Sequence, residues 1–331
     1  MTGIQWTDET WNPVAGCTPV SAGCANCYAV QVTRRLGGMA EADERAGRDP
    51  GRKAAYRSLT VLQPNGRRHF TGEVRTIEAA LRVPFGWRKP RRVFVNSTSD
   101  LFHEGVPFEF IDRVFAVMAL CPRHTFQLLT KRPERMAEYF EDDIQRCDSI
   151  TLGMREFDGS MPDLPDWPLP NVWIGTSVED QAAAQARIPH LLRCPAAVRF
   201  LSCEPLLGAV DLGPWITPVY DNTAEGGFRG YHFPGDDIRT HGKELAVGWV
   251  IVGGESGPRA RPCDVAWIRS IVEQCRASSV ACYVKQLGAK VDHTDPALRC
   301  GGLRDPKGGD PGEWPEALRV REFPRASEVR A

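Results

Sequence analysis

Short apolar runs rich in Val, Ile, Leu and Phe recur along the chain, and each ends in small or polar residues. Runs of this length, bounded by turn-forming residues, are typical of buried strands. A first strand is expected within residues 4–11, and further strands are predicted at residues 93–96, 126–129, 172–175, 198–201, 249–252 and 281–284.

Helical periodicity fills the intervals between several of these runs, most clearly at residues 108–120, 133–144, 179–192 and 265–275. Pro133 suits a first helical turn because its φ is preset, and Asp264 offers an N-cap oxygen. Strands that alternate with helices indicate parallel strands joined by right-handed crossovers. We therefore predict an α/β fold, a full or partial (β/α) TIM-like barrel with parallel strands.

The connections between the predicted elements are uneven in length. We assign residues 1–300 to the barrel domain, with long insertions at residues 41–75, 147–170 and 213–247 that are rich in Gly, Pro and charge. Loops this long in a compact domain are usually functional or mobile. Residues 301–331 are expected to form an irregular tail packed on the barrel.

Composition points to an ordinary globular enzyme, with 42% hydrophobic and 25% charged residues in 331. Neither an 18-residue apolar window nor a signal-peptide pattern occurs, so a cytoplasmic protein without membrane contact is expected. Residues 1–100 contain 15 Lys and Arg against 9 Asp and Glu. This excess is compatible with a nucleotide or nucleic-acid partner, and the alternative is a solvated basic face.

Polar residues follow every predicted strand, and parallel barrels place their active sites at the carboxyl ends of the strands. Turn and cap preferences alone could explain the Ser, Thr, Asp and Gly residues at these positions, but not the Lys, Arg and Glu residues. Lys131 and Arg132 are predicted to meet a substrate carboxylate or phosphate. Gly253 and Gly254 could let the backbone approach a cofactor while Glu255 accepts hydrogen bonds from it.

Three of the eleven cysteines, Cys17, Cys24 and Cys27, are spaced C-x6-C-x2-C. In a reducing compartment such a cluster indicates a metal site or catalysis rather than disulfides. On a [4Fe–4S] cluster these three ligands would leave one iron open to a small molecule. Zinc is the alternative, with water or a fourth ligand from His103, His124, Cys203 or Cys263; three unligated cysteines are a further possibility.

A strand, a three-cysteine loop, a helix and a partial barrel resemble the radical S-adenosylmethionine superfamily, although that superfamily usually has three residues in the first gap. The resemblance implies a [4Fe–4S] cluster on the three cysteines and S-adenosylmethionine on its open iron. Under it, the candidate contacts for this cofactor are Asn96, Ser97, Ser99, Glu179, Gly253, Gly254 and Glu255. The candidates for catalysis are Cys203, Glu204 and Lys285, with Cys203 as a possible hydrogen-atom donor.

The chain also resembles, over nearly its whole length, a family of three-cysteine phage and prophage proteins without an assigned reaction. The shared motifs include the cysteine loop and the segments Trp11-Asn-Pro-Val14, Ser99-Asp-Leu-Phe-His103, Leu129-Thr-Lys-Arg-Pro133, Ser202-Cys-Glu-Pro205 and Gly253-Gly-Glu-Ser-Gly257. This resemblance implies a phage or prophage setting and leaves the substrate unnamed.

Two functions are compatible with these observations. The first is a radical S-adenosylmethionine enzyme that modifies a nucleotide or nucleic acid, with a possible partner protein encoded by a neighbouring gene. The second is a metal-stabilised nucleic-acid-binding accessory protein in which residues 88–92 contact phosphates. Zinc-dependent deamination is disfavoured because the H-x-E signature that accompanies its CxxC pair is missing.

Overall fold

The structure, a computed structural model, describes residues 3–159, 166–217, 219–221, 230–232, 239–240, 246–292 and 303–324. Its largest element is a seven-stranded sheet. The strands are β1 (Glu9–Trp11), β2 (Arg92–Val95), β3 (Thr125–Thr130), β4 (Val172–Ser177), β5 (Val198–Cys203), β6 (Val247–Gly253) and β7 (Ala281–Gln286). Each coincides with a predicted run, so the strand predictions are confirmed.

The strands follow one another across the sheet in chain order from β1 to β7, and they pair in parallel. A doubly wound sheet would reverse this order at a switch point, whereas a (β/α) barrel keeps it. Because β1 and β7 end the hydrogen-bonded order, the barrel is partial. The predicted α/β partial barrel is therefore confirmed.

Helices alternate with the strands, as α1 (Tyr28–Arg45), α2 (Phe108–Ala119), α3 (Pro133–Tyr139), α4 (Asp143–Asp158), α5 (Gln181–Leu192) and α6 (Val265–Ala277). The two predicted helix starts are confirmed: Pro133 opens α3, and the Asp264 carboxylate accepts a hydrogen bond from the Ala266 N–H at 2.8 Å. Within the described ranges, no helix is long and apolar enough to cross a membrane.

Shorter elements occupy parts of the predicted insertions. Residues 41–75 hold the 3₁₀ turn Gly51–Tyr56 and the hairpin Thr60–Leu62 with Arg68–Phe70, and residues 213–247 hold the helix Gly213–Ile216 and the strands Val219–Asp221, Gly230–His232 and Arg239–Thr240. The remaining short elements are the strand pairs Val14–Ala15 with Arg75–Thr76 and Cys263–Asp264 with Val291–Asp292, the helix Glu78–Leu81, and the 3₁₀ turns Ala22–Cys24, Pro84–Gly86, Pro311–Glu313 and Glu316–Leu318. Much of 213–247 and both ends of 301–331 lie outside the described residues.

The region after β3 differs from its prediction. The predicted helix at 133–144 ends early, and α4 occupies what was expected to be the start of a long insertion at 147–170. The Asp142 carboxylate accepts a hydrogen bond from the Gln145 N–H at 2.9 Å and so starts a new helix. The sequence pattern did not predict α4, because the apolar residues of this helix do not line one face. Both Ile144 and Leu152 are exposed.

The chain forms two compact units, Met1–Val172 and Trp173–Ala331. In the first unit, the Trp11 indole N–H donates to the Ala80 carbonyl at 2.8 Å, and its ring centroid lies 5.6 Å from that of Phe126. These contacts fix β1 against the neighbouring elements. Because β1 leads directly into the cysteine loop, its position matters for that loop.

In the second unit, the Trp249 ring lies between the rings of Trp173 and Phe200, at centroid distances of 5.7 and 5.6 Å. The chain at 320–322 runs antiparallel along β7, where the Val284 N–H donates to the Val320 carbonyl at 2.9 Å. This segment covers the free edge of β7, where unpaired backbone groups would otherwise invite pairing with other chains.

Candidate functional site

The cysteine loop begins after β1 and the short strand Val14–Ala15 and ends where α1 starts, directly after Cys27. Gly16 introduces it with a φ of +91°, and a Cβ atom there would lie 2.1 Å from the Glu73 carbonyl oxygen. Only glycine can occupy such a position. The loop thus follows the first strand of the barrel, as the sequence predicted.

Side chains that follow β2 fasten this loop. The Asn12 Oδ1 atom accepts hydrogen bonds from the Ser97 hydroxyl and the Thr98 N–H, both at 3.1 Å. The Ser99 hydroxyl donates to the Val14 carbonyl at 2.7 Å. Ser97 and Ser99, predicted as cofactor contacts, therefore have structural partners on the segment that leads into the cysteines.

Asn96 combines a structural role with a buried hydrogen-bond donor. Its φ is +59°, its N–H donates to the Trp11 carbonyl at 2.7 Å, and its Oδ1 accepts from the Val14 N–H at 3.3 Å. The Nδ2 group is buried and meets no acceptor among the described residues. A buried donor without a partner is costly, so this amide is suited to a ligand or an ordered water.

Arg132 lies at the centre of a hydrogen-bond network beside the loop. Its Nε donates to the Glu104 carboxylate at 3.0 and 3.1 Å, and its Nη1 donates to Asp100 Oδ2 at 3.3 Å. Its Nη2 donates to the carbonyl and the hydroxyl of Thr18, at 3.2 and 2.6 Å. The Cys17 sulfur lies 3.9 Å from Nη1. We refer to Thr18, Asp100, His103, Glu104 and Arg132 as the arginine network.

Asp100 and His103 complete this network. Asp100 accepts from the Thr130 hydroxyl at 2.7 Å and from the Lys131 N–H at 3.0 Å, which ties the end of β3 to it. His103 Nε2 lies 2.9 Å from the Thr18 hydroxyl, while its Nδ1 accepts from the Gly105 N–H at 3.0 Å. Burial, and then the charge of Arg132, lower the pKa of His103, which favours the neutral ring.

The three loop cysteines carry free thiols. Burial raises the pKa of Cys17 to about 12, with a further contribution from the Asp100 carboxylate, and burial also raises the pKa of Cys27. Cys27 interacts electrostatically with Cys17, Cys24 and Lys131, so the thiols and one lysine share a neighbourhood. Buried thiols of this kind become thiolates when a metal centre compensates their charge.

The chemistry of the donor set is compatible with both metal types predicted. In the part of the chain that is described, no three His, Cys, Asp or Glu side chains converge on a position for a single metal ion. The three thiols are the usual ligands of a [4Fe–4S] cluster and common ligands of zinc, so both metal types stay predictions. Cys17, Cys24 and Cys27 would be the ligands, and the zinc alternative stays a prediction.

In the second unit, each predicted carboxylate has a cationic partner. The Glu255 carboxylate accepts three hydrogen bonds from Arg261, the shortest at 2.6 Å. Glu179 is buried and pairs with Arg187 at 2.7 Å. The remaining pair is Glu204 with Lys285, whose Nζ lies 2.6 Å from Oε1. Their predicted roles toward a cofactor or substrate stay predictions.

Gly253, Gly254 and Cys203 occupy tightly packed positions. A Cβ atom on Gly254 would lie 2.2 Å from the Leu287 carbonyl oxygen, and one on Gly253 would lie 2.9 Å from the Gln286 carbonyl oxygen. Close approach of two backbone segments therefore accounts for both glycines. The Cys203 thiol is fully buried, and burial, followed by the charge of Cys282, raises its pKa.

One protein-family model matches residues 1–316 of the chain, and it is described as "Protein of unknown function (DUF5131)". The chain belongs to the DUF5131 family. Neither a curated protein nor a solved structure gives a significant match. The DUF5131 match covers the cysteine loop, the arginine network and the ion pairs of the second unit.

Sequence reasoning missed part of the arginine network in this DUF5131 protein. Asp100 and Glu104 lie in the polar stretch after β2, but the candidates chosen there were Asn96, Ser97 and Ser99. Thr18 was passed over as a residue within the cysteine loop. A usable signal existed only at Glu104, because turn and cap preferences select Asp but not Glu.

Proposed function

We propose that the chain binds a [4Fe–4S] cluster on Cys17, Cys24 and Cys27 and is an iron–sulfur enzyme of the radical S-adenosylmethionine type. The observation that carries the proposal is the cysteine loop itself. Three free thiols lie on one loop after the first strand of a parallel partial barrel, and Arg132, which follows β3, donates to Thr18 of that loop. A cluster held by three thiolates keeps one iron open to a ligand.

When bound, the cluster would supply a low-potential electron and an iron site for S-adenosylmethionine. The residues of the chain would then bind and orient. The buried Nδ2 of Asn96 is a neutral donor for the amino-acid carboxylate of this cofactor. Lys131, which interacts electrostatically with Cys27, is a cation for the same carboxylate. Arg132 is assigned to holding the loop, because its donors already have partners there.

The proposed substrate is a nucleotide or nucleic acid, on the basis of the cationic excess in residues 1–100. In the second unit, Glu204 and Lys285 are the proposed substrate-facing pair, because both are partly exposed. From the resemblance we also propose a phage or prophage context and a partner encoded by a neighbouring gene. The free thiols support a cytoplasmic location.

The alternative is a nucleic-acid-binding accessory protein that uses residues 88–92. Two cations of that segment already have carboxylate partners: Arg91 with Glu9 at 3.2 Å and Arg92 with Asp8 at 3.2 Å. Such pairing reduces the charge that the segment offers to phosphates. We therefore prefer the enzyme.

Anaerobic purification tests the cluster. We expect a brown protein with about four irons per chain and a broad visible absorbance. Both the iron and the absorbance should be lost in each of the single variants Cys17→Ser, Cys24→Ser and Cys27→Ser. Cys147→Ser is the matched control, since this half-buried cysteine lies on α4, and it should keep its iron. A colourless wild-type protein with one zinc would contradict the proposal.

A second measurement separates radical chemistry from cluster binding. Reduction of the iron-loaded protein with S-adenosylmethionine should release 5′-deoxyadenosine, and Asn96→Ala should weaken cofactor binding while iron content is retained. A protein with a full cluster that releases no 5′-deoxyadenosine would have cluster binding without this reaction.

A further inference from the structure

A cavity of about 350 Å³ lies in the first unit, on the open side of β1. Residues of β1 form one wall, the 3₁₀ turn Gly51–Tyr56 forms a second, and the segment around Trp87 forms a third. Beyond the cavity the edge is closed, because the Ile77 N–H donates to the Pro13 carbonyl at 2.7 Å. The volume falls in the range of small-ligand sites.

One wall of the cavity is aromatic and apolar. Trp87 is half-buried, its ring stands edge-on to His124 at 5.6 Å, and the Arg91 guanidinium lies 5.9 Å from its centroid. Ile77 and Ala80 line the same cavity. A fixed indole beside aliphatic side chains suits a planar ring, because stacking needs a rigid flat surface.

Two cations also line the cavity. Arg52 is exposed, and its charge acts on the hydroxyl of the cavity-lining Tyr56, so the two lie close together. Lys53 also lines the cavity and forms an ion pair with Asp43. Arginine beside a planar pocket is suited to a phosphate, which its guanidinium binds through two donors.

The cavity also has a hydrogen-bonding edge, formed by residues of and after β1. The Asn96 N–H donates to the Trp11 carbonyl, so in a parallel ladder the backbone groups of Thr10 point away from β2, toward the cavity. The Asn12 Oδ1 is fixed by Ser97 and Thr98, which leaves its Nδ2 group to donate elsewhere. The Thr10 carbonyl and the Asn12 amide thus offer an acceptor and a donor, as the edge of a nucleobase requires.

We infer that this cavity binds one 5′-phosphorylated nucleoside, with the base beside Trp87 and the phosphate on Arg52. The ligand class is shared with the proposed function, but the inference rests on the cavity alone. A free nucleotide and a nucleotide within a single strand present the same chemistry. None of the three loop cysteines lines the cavity, so nucleotide binding is expected without a cluster.

Isothermal titration calorimetry on the full chain tests this inference, with 2′-deoxynucleoside 5′-monophosphates, oligothymidylate and inorganic phosphate as probes. We expect saturable nucleotide binding that weakens about tenfold in Arg52→Gln, because a charge-assisted contact is lost. Trp87→Ala should weaken it about fivefold or more, and Trp87→Phe should restore most of it. Arg67→Gln, an exposed arginine in the neighbouring hairpin, should bind like the wild type.

The other outcomes of the titrations either overturn the inference or identify the form of the ligand. No saturable binding of any nucleotide overturns the inference, as does binding that neither Arg52→Gln nor Trp87→Ala changes. Equal affinity for inorganic phosphate and nucleotide would overturn the role of Trp87. Tighter binding of oligothymidylate than of the monophosphate, with the same sensitivity to Arg52→Gln, would identify the single strand as the source. Iron content, measured on the same samples, reports on the cluster separately.

Discussion

The polar strand ends of the two units are used differently. In the first unit, Asp100 accepts hydrogen bonds from Thr130 and Arg132, and Arg132 also donates to Thr18 and lies 3.9 Å from the Cys17 sulfur. The groups at the ends of β2 and β3 therefore hold a loop with three free thiols. In the second unit, the carboxylates after β4 and β6, Glu179 and Glu255, each pair with an arginine that follows closely in sequence.

The difference shows that charge at a strand end does not by itself indicate a ligand. In both units these charged residues pair with one another, but in the first unit the paired Arg132 also donates to the cysteine loop. The two units differ because the arginine network of the first unit contacts the cysteine loop, which carries the three thiols. The proposed metal centre therefore lies in the first unit.

The largest effect is expected from Arg132→Met, which leaves the buried Asp100 carboxylate without its cation. We expect the free energy of unfolding to fall by about 3 kcal/mol, because breaking a buried pair leaves one charge uncompensated. Iron retention should fall as well. Arg187→Met is the matched variant of the second unit, since Glu179 is equally buried. It should destabilise the chain similarly and leave iron unchanged; equal iron loss in both would erase the contrast.

Gly16→Ala sharpens the comparison at the entry to the cysteine loop. A Cβ atom there collides with the Glu73 backbone and requires a left-handed residue, so a loss of about 2 kcal/mol or more in the free energy of unfolding is expected. Gly47→Ala is the control, because Gly47 has a φ of +70° with open space around it. It should cost about 1 kcal/mol. Urea unfolding monitored by circular dichroism measures both.

A smaller effect is expected from Lys285→Met. The Lys285 and Glu204 side chains are partly exposed, so solvent screens the pair and its loss should cost about 1 kcal/mol or less. If the pair faces substrate, the variant should lose turnover while keeping its cluster and its stability. A variant that keeps full turnover would remove Lys285 from the proposed site.

The smallest effect concerns pH and His103. Burial and Arg132 lower its pKa below the ordinary 6.5, so below pH 6.5 the unfolded chain takes up a proton before the folded chain does. The free energy of unfolding should therefore fall as the pH drops below 6.5. In His103→Gln this part of the decline should be absent. Denaturation measured over a series of pH values for the wild type and the variant would show it as a difference between their free energies of unfolding. Parallel declines would show that His103 does not titrate in this way.

The strands were predictable because buried parallel strands are short, continuous apolar runs bounded by polar or small residues. Helix α4 was not, because its apolar residues include the exposed Ile144 and Leu152 and give no single face. The helix starts at Pro133 and Asp264 were predictable, because a preset φ and a capping oxygen act locally.

The candidate site divides in the same way. The cysteine spacing and its place after the first strand were determined by the sequence alone, because both depend on neighbouring residues. The partners of Arg132 were decided only by the tertiary structure. Whether a charged group is left for a ligand depends on which opposite charge the fold brings within about 3 Å of it. Between Arg132 and Thr18 that contact spans more than a hundred residues of chain, and no local pattern records it.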